Sequence, residues 1–155
     1  MHRDVKPENF LVKDLTEVEN FEVPWTQKVL KLIDFGSAKD LQGSGSPFTD
    51  YVGTRWYRAP ELVQGSRQYD GAVDVFAVGC IMAELYLGRP IFPGQNAQDQ
   101  IIKIVSVLGT PPQAVGLPQM AATPLQQLMR SLSNEGNDVL LQMLKFDPKQ
   151  RITAA

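Results

Sequence analysis

From Gly71 to Leu87 the chain has almost no polar face: Val73, Val75, Phe76, Val78, Ile81, Met82 and Leu85 are spaced around the whole circumference of a helix rather than along one stripe. A helix that is apolar all round is expected to be buried, so this segment predicts a central helix with neighbours on every side. Asp74 and Glu84 interrupt it, and it falls short of the ~20 clean apolar residues that a bilayer span needs, so no membrane partner is expected. The chain has 155 residues, 43% of them hydrophobic, which is enough for one core around such a helix.

The remaining periodicity is mostly helical. Asn96 is an N-cap candidate, with Asp99 in the first turn, for a helix over Ala97 to Leu108 that Gly109-Thr110-Pro111-Pro112 stops. Leu125 to Leu132 and Asp138 to Leu144, the latter capped by Asn137, predict two shorter helices. The short apolar run Phe10-Leu11-Val12 predicts a brief strand, and Val29 to Ile33, which alternates, a second. The acidic connection Lys13 to Lys28 carries Pro24 and suits a surface excursion, with Phe21, Val23 and Trp25 able to dock on the body. Lys39 to Val52, rich in Gly and Ser, predicts a long loop. The fold class is therefore mainly α with a small β-ribbon.

Fifteen basic and seventeen acidic residues give a formal net charge of -2, which supplies no global field for a polyanion, so nucleic acid is not expected as a ligand. One cysteine, Cys80, cannot form an internal disulfide and reads as a small core residue rather than a reactive thiol. With no basic-then-apolar leader, the expected setting is intracellular. Thr153 before Ala154-Ala155 reads as a cap at the start of a helix, and a functional polar turn follows directly on Met1, so both ends read as internal to something larger.

Three groups carry chemistry: His2-Arg3-Asp4-Val5-Lys6-Pro7-Glu8-Asn9, Asp34-Phe35-Gly36, and Gly53-Thr54-Arg55-Trp56-Tyr57-Arg58-Ala59-Pro60-Glu61. In order and spacing they resemble the catalytic loop, metal-binding turn and end of the activation segment (34–61) of eukaryotic protein kinases. Asp74, Gly79-Cys80, Asp147-Pro148 and Arg151 extend the resemblance over essentially the whole chain. It implies a kinase-like C-terminal lobe (α+β), a partial domain over 1–155 that is incomplete at both ends. No G-x-G-x-x-G loop occurs, since Phe48 stands where Gly43 and Gly45 would need their third glycine, and there is no V-A-I-K strand. The N-terminal ATP-binding lobe is thus expected to be absent, and the apolar helix to be under-covered.

The resemblance further implies a serine/threonine protein kinase that moves the γ-phosphoryl group of ATP, with Mg²⁺, to Ser/Thr-Pro sites of protein substrates. Asp4 matches the residue that accepts or orients the substrate hydroxyl proton. Asn9 and Asp34 match the metal ligands, Lys6 matches a charge on the transferring phosphate and the serine/threonine-type pattern, and Thr54 matches a residue that bonds Asp4 and Lys6. His2 matches a structural residue under the metal turn, since Asp4 already holds the base position.

Thr49-Asp50-Tyr51 resembles a phosphorylation switch. Phosphate on Thr49 would pair with Arg3 and Lys39, and phosphate on Tyr51 with Arg55 and Arg58, after the action of an upstream kinase. The alternative is a solvated loop whose Thr and Tyr are never modified. Arg58 would also shape a pocket for the substrate proline. Glu61 and Arg151 resemble a buried ion pair, and Asp74 the carboxylate that anchors the catalytic-loop backbone, the alternative for Asp74 being a simple cap or a solvent-facing charge.

Within the proline-directed CMGC group, the Thr-Asp-Tyr triplet, Asp74 to Gly79 running into Met82 to Tyr86, and Pro90-Ile91-Phe92-Pro93-Gly94 look most like MAK-type (RCK) kinases. Gly65 to Asp70 looks closer to cyclin-dependent kinases. Phe76 stands where tryptophan is usual, Lys13 to Lys28 is long, and Pro111 to Ser131 is short. The resemblance implies an intracellular setting, cytoplasm and/or nucleus, with the cilium as an alternative compartment. A catalytically inactive lobe that binds other proteins is the competing function, and the isolated chain is expected to be inactive alone.

Overall fold

The computed structural model describes residues 1–14, 28–40, 55–112 and 114–154. Two strands, β1 (Phe10–Asp14) and β2 (Lys28–Leu32), pair antiparallel with Phe10 opposite Leu32 and Asp14 opposite Lys28. Five helices follow among the described residues: α1 (Pro60–Val63), α2 (Ala72–Leu87), α3 (Ala97–Leu108), α4 (Leu125–Leu128) and α5 (Asn134–Met143). Single 3₁₀ turns lie at Pro7–Asn9, Phe35–Ser37 and Pro148–Gln150. No helix among the described residues is long and apolar enough to cross a membrane.

The core collects on α2. Phe76 and Phe92 stack with ring centroids 6.0 Å apart, and Ile104, Met129, Leu140 and Leu144 are fully buried around them. Burying each such side chain contributes roughly 1.5–3 kcal/mol. The all-round burial expected of α2 is met on one side only. Val73, Phe76, Ala77, Gly79, Cys80 and Ala83 are buried against α5 and the core, whereas Leu85 is 81% exposed and Val78 and Tyr86 are also exposed. This matches the under-coverage expected from the sequence.

Local signals placed α3 to the residue: the Asn96 side chain accepts from the Asp99 N–H at 2.9 Å, and Gly109 ends the helix at φ 80. The other two helices differ from expectation. The helix expected over Leu125 to Leu132 stops at Leu128, because Met129 leaves helical geometry and the chain instead turns Met129 and Leu132 into the core. The last helix starts at Asn134, with Ser133 and not Asn137 as its cap, since the Ser133 hydroxyl accepts from the Gly136 N–H at 3.0 Å. Gly136, which weakens a helical reading of that stretch, is where a Cβ would come within 2.9 Å of Leu132 Cδ1.

Candidate active site

The turn from His2 to Asn9 is held from below by the first turn of α2. Asp74 accepts from the His2 N–H at 2.6 Å and from the Arg3 N–H at 2.8 Å, one bond to each carboxylate oxygen. A carboxylate at a helix N-terminus is favoured by the helix dipole, and hydrogen bonds to a charged acceptor contribute about 1.5–3 kcal/mol each. They offset the strain at Arg3, a non-glycine residue at φ 73. The charge on this apolar helix is therefore partnered.

His2 is buried and its ring joins the two halves of the site. Nδ1 accepts from the Asp4 N–H at 3.3 Å, which leaves Nε2 to donate to the Ile33 carbonyl at 2.9 Å. Its ring meets Phe35 edge-on at 4.9 Å. The Ile33 N–H donates to the Asn9 carbonyl at 2.9 Å, and the Lys39 N–H to the Met1 carbonyl at 3.0 Å. Turn 1–9 and segment 33–39 are thereby tied together, and the tie presents Asp34 next to the turn. Asp34 is exposed, sits at φ 63 and accepts from the Gly36 N–H at 3.3 Å.

Asp4, only 7% exposed, lies at the centre. The Lys6 ammonium approaches its Oδ2 to 2.9 Å. The Asn9 amide nitrogen donates to the same Oδ2 at 3.2 Å and to the Asp4 carbonyl at 2.7 Å. With its nitrogen so engaged, Asn9 has its Oδ1 as the atom to offer a cation. Arg3, Asp4, Lys6, Arg58 and Asp74 line a cleft of about 20 Å³, room for a water-sized group. No cluster of three or more His, Cys, Asp or Glu suited to a metal occurs among the described residues. A hard cation here would take one carboxylate, one amide oxygen and oxygens from its substrate.

Of the other residues singled out in the sequence, Glu61 and Arg151 meet as a two-pronged pair, NH1 to Oε1 at 2.6 Å and NH2 to Oε2 at 2.7 Å. Arg55 is exposed, and Lys39 joins the site through its backbone. Thr49, Tyr51 and Thr54 lie outside the described residues. Arg3 donates through Nε to the Ser37 carbonyl and through NH1 to the Tyr69 hydroxyl at 3.3 Å. Neither Ser37 nor Tyr69 was singled out, and the sequence offers no local signal for contacts 34 and 66 residues away.

Trp56 and Tyr57 were likewise read only as part of a motif. The Trp56 indole donates to the Gly94 carbonyl at 3.1 Å, and the Tyr57 hydroxyl to Glu84 at 2.7 Å. Burial first, then the Glu84 carboxylate, push the Tyr57 phenol well above its ordinary range. Burial also pushes the Cys80 thiol up, as suits a packed rather than a reactive sulfur.

Residues 1–155 match the family described as "Protein kinase domain". The chain is 43% identical to the human serine/threonine-protein kinase MAK, covering 99% of this chain and 25% of that protein. It is 40% identical to protein kinase gsk3 of Schizosaccharomyces pombe, over 99% of this chain and 40% of the relative. It is also 40% identical to cyclin-dependent kinase 20 of Pongo abelii, over 100% of this chain and 45% of the relative. The chain thus spans from a quarter to under half of the length of these relatives.

Proposed function

The chain belongs to the protein kinase family, and from that premise we propose that it forms most of the C-terminal lobe of a MAK-like serine/threonine kinase that phosphorylates Ser/Thr-Pro sites of proteins. The observation that carries this reading is the Asp4 carboxylate, nearly buried and held between the Lys6 ammonium and the Asn9 amide. In-line phosphoryl transfer asks a protein chiefly for position and charge. Asp4 orients the substrate hydroxyl and takes its proton as the new P–O bond forms and the bond to ADP breaks. Lys6 supplies a positive charge at the transferring phosphate, and Thr54 steadies both residues. Asn9 and Asp34 are the oxygen donors suited to Mg²⁺, which when bound neutralises charge on the phosphate oxygens. The glycine-rich loop that would cover those phosphates is not among these 155 residues.

Phosphate on Thr49 and Tyr51, added by an upstream kinase, would order the segment against Arg3 and Lys39 and against Arg55 and Arg58. Arg58 lines the Asp4 cleft, which supports its meeting the residue after the phosphoacceptor. The single buried thiol suits a reducing compartment, cytoplasm or nucleus.

The test is Asp4→Asn in the full-length polypeptide. The amide keeps an acceptor for Asn9 but cannot take a proton, so Mg-ATP-dependent phosphorylation of a Ser-Pro peptide should fall by about 10²–10⁴-fold with the fold intact. A kcat within threefold of the parent's removes Asp4 from this role.

A further inference from the structure

Gln100, in the first turns of α3, has no exposed surface, and its Nε2 is the one buried side-chain nitrogen or oxygen among the described residues without a hydrogen-bond partner. The amide cannot be turned over to relieve this, because its Oε1 accepts from the Gly94 N–H at 3.0 Å. Methionine or leucine would fill the same space with no unpaired donor. What glutamine adds is the acceptor for Gly94.

Gly94 is seated directly on α3. A Cβ there would lie 2.4 Å from Gln100 Oε1 and 2.5 Å from its Cα, so only glycine fits. Its N–H is shared between Gln100 and the Phe92 carbonyl, at 3.0 and 2.9 Å. The peptide unit that follows is gripped at both ends: the Gln95 N–H donates to Asp99 at 2.9 Å, and the Gly94 carbonyl accepts from the Trp56 indole at 3.1 Å. Asp99 is itself bonded through its N–H to the Asn96 cap at 2.9 Å. The start of α3 therefore reaches Trp56 through one glycine. Trp56 lies between the exposed Arg55 and the half-buried Arg58, and Arg58 lines the cleft around Asp4 and Lys6.

We propose that Gln100 is a positioning residue for peptide recognition: through Gly94 it sets the Trp56 indole, and with it the stretch Arg55–Arg58 that meets the protein substrate. The proposal rests on the kinase reading above for what that stretch meets, but the relay itself does not.

The experiment uses the full-length polypeptide with Trp25→Phe and any tryptophans outside these residues also changed to Phe, so that Trp56 alone reports. Gln100→Met should move Trp56 emission to the red and raise its quenching by acrylamide. It should raise the KM for a Ser-Pro peptide on the order of tenfold, while kcat and the KM for ATP stay within twofold. Gln100→Glu, which keeps the acceptor oxygen, should restore emission and peptide KM towards the parent values. Trp56→Phe removes the far end of the relay at a partly exposed position, so it keeps the proposal testable if Gln100→Met does not fold, and it should give the same rise in peptide KM alone. Unchanged emission in Gln100→Met, or unchanged peptide KM in Trp56→Phe, overturns the proposal, as does an equal loss in kcat and both KM values. If the parent transfers no phosphate, the kinase reading fails, and the emission of Gln100→Met still decides the relay.

Discussion

Arg151 offers the sharpest test of how the helical body is held. Its side chain is fully buried and spends every donor: two bonds to Glu61 at 2.6 and 2.7 Å, and bonds to the carbonyls of Lys145, Phe146 and Ala72 at 2.7, 3.1 and 3.0 Å. It also lies 5.0 Å over the Phe76 ring. Arg151→Met leaves the Glu61 carboxylate buried with no cation and strips three carbonyls of a donor. Loss of one partner of a buried pair costs about 3–5 kcal/mol. Glu61→Gln is milder, because the amide oxygen still accepts from the guanidinium and the three carbonyl bonds survive; about 1.5–3 kcal/mol is expected. The double variant Glu61→Met/Arg151→Met removes the orphaned charge along with its partner, so it should cost no more than Arg151→Met alone. Urea unfolding at pH 7 measures these three and Glu61→Met alone, which closes the cycle, and by heat Arg151→Met should lower Tm by roughly 6–20 °C. Additivity of Glu61→Met and Arg151→Met within about 0.5 kcal/mol would refute the reasoning, because it would mean the pair is not coupled.

Asp74→Asn should cost about 1.5–3 kcal/mol in urea unfolding and speed amide exchange at His2 and Arg3, since both N–H groups lose a charged acceptor; unchanged exchange at both would show that the turn does not hang on α2. Tyr57 should ionise only well above the ordinary tyrosine range. Its phenol is raised in the folded state, so its contribution is whole below the unfolded value of about 10 and is lost as pH climbs above it. Tyr57→Phe should flatten the fall in stability above pH 10, and an unaltered alkaline limb counts against the assignment. Cys80 should resist a thiol reagent at pH 8 in the folded chain and react fully in urea, and rapid native labelling would contradict its burial.

Those features differ in how far the sequence reveals them. The helix over Ala97–Leu108 is legible because Asn96, Asp99 and Gly109 act within one turn of where they stand. The ribbon is legible because its signals, a short apolar run after a polar turn and a second short run, are local. Ser133 and Asn137 are both good caps four residues apart, so residue type alone does not choose between them, and in the structure Ser133 accepts from the Gly136 N–H. The exposed flank of α2 follows from which elements surround it: the periodicity of its own residues predicts burial all round, and under-coverage is implied only by the resemblance and the elements it lacks. The site divides the same way. Asp4, Lys6 and Asn9 are neighbours in the chain, so their contact follows from one turn, whereas Arg3 with Tyr69 and Trp56 with Gly94 are chain-distant and depend on how the body folds.

The start of α2 is where these levels meet. Asp74 holds the backbone of His2 and Arg3 from one side of the first turn, while the Ala72 carbonyl, two residues earlier, accepts from Arg151, whose other bonds hold Glu61. A single helical turn therefore couples the Asp4 turn to α1 and to the last 3₁₀ turn. Arg151 reaches the Asp4 turn only through that coupling. Its loss should first loosen α1 and the Arg55–Arg58 stretch in front of it, and disturb Asp4 only as far as Asp74 shifts. The buried Arg151 is thus tied to the Asp4 turn by two residues of one helix, which gives the charges at Asp74 and Arg151 partners in so apolar a setting.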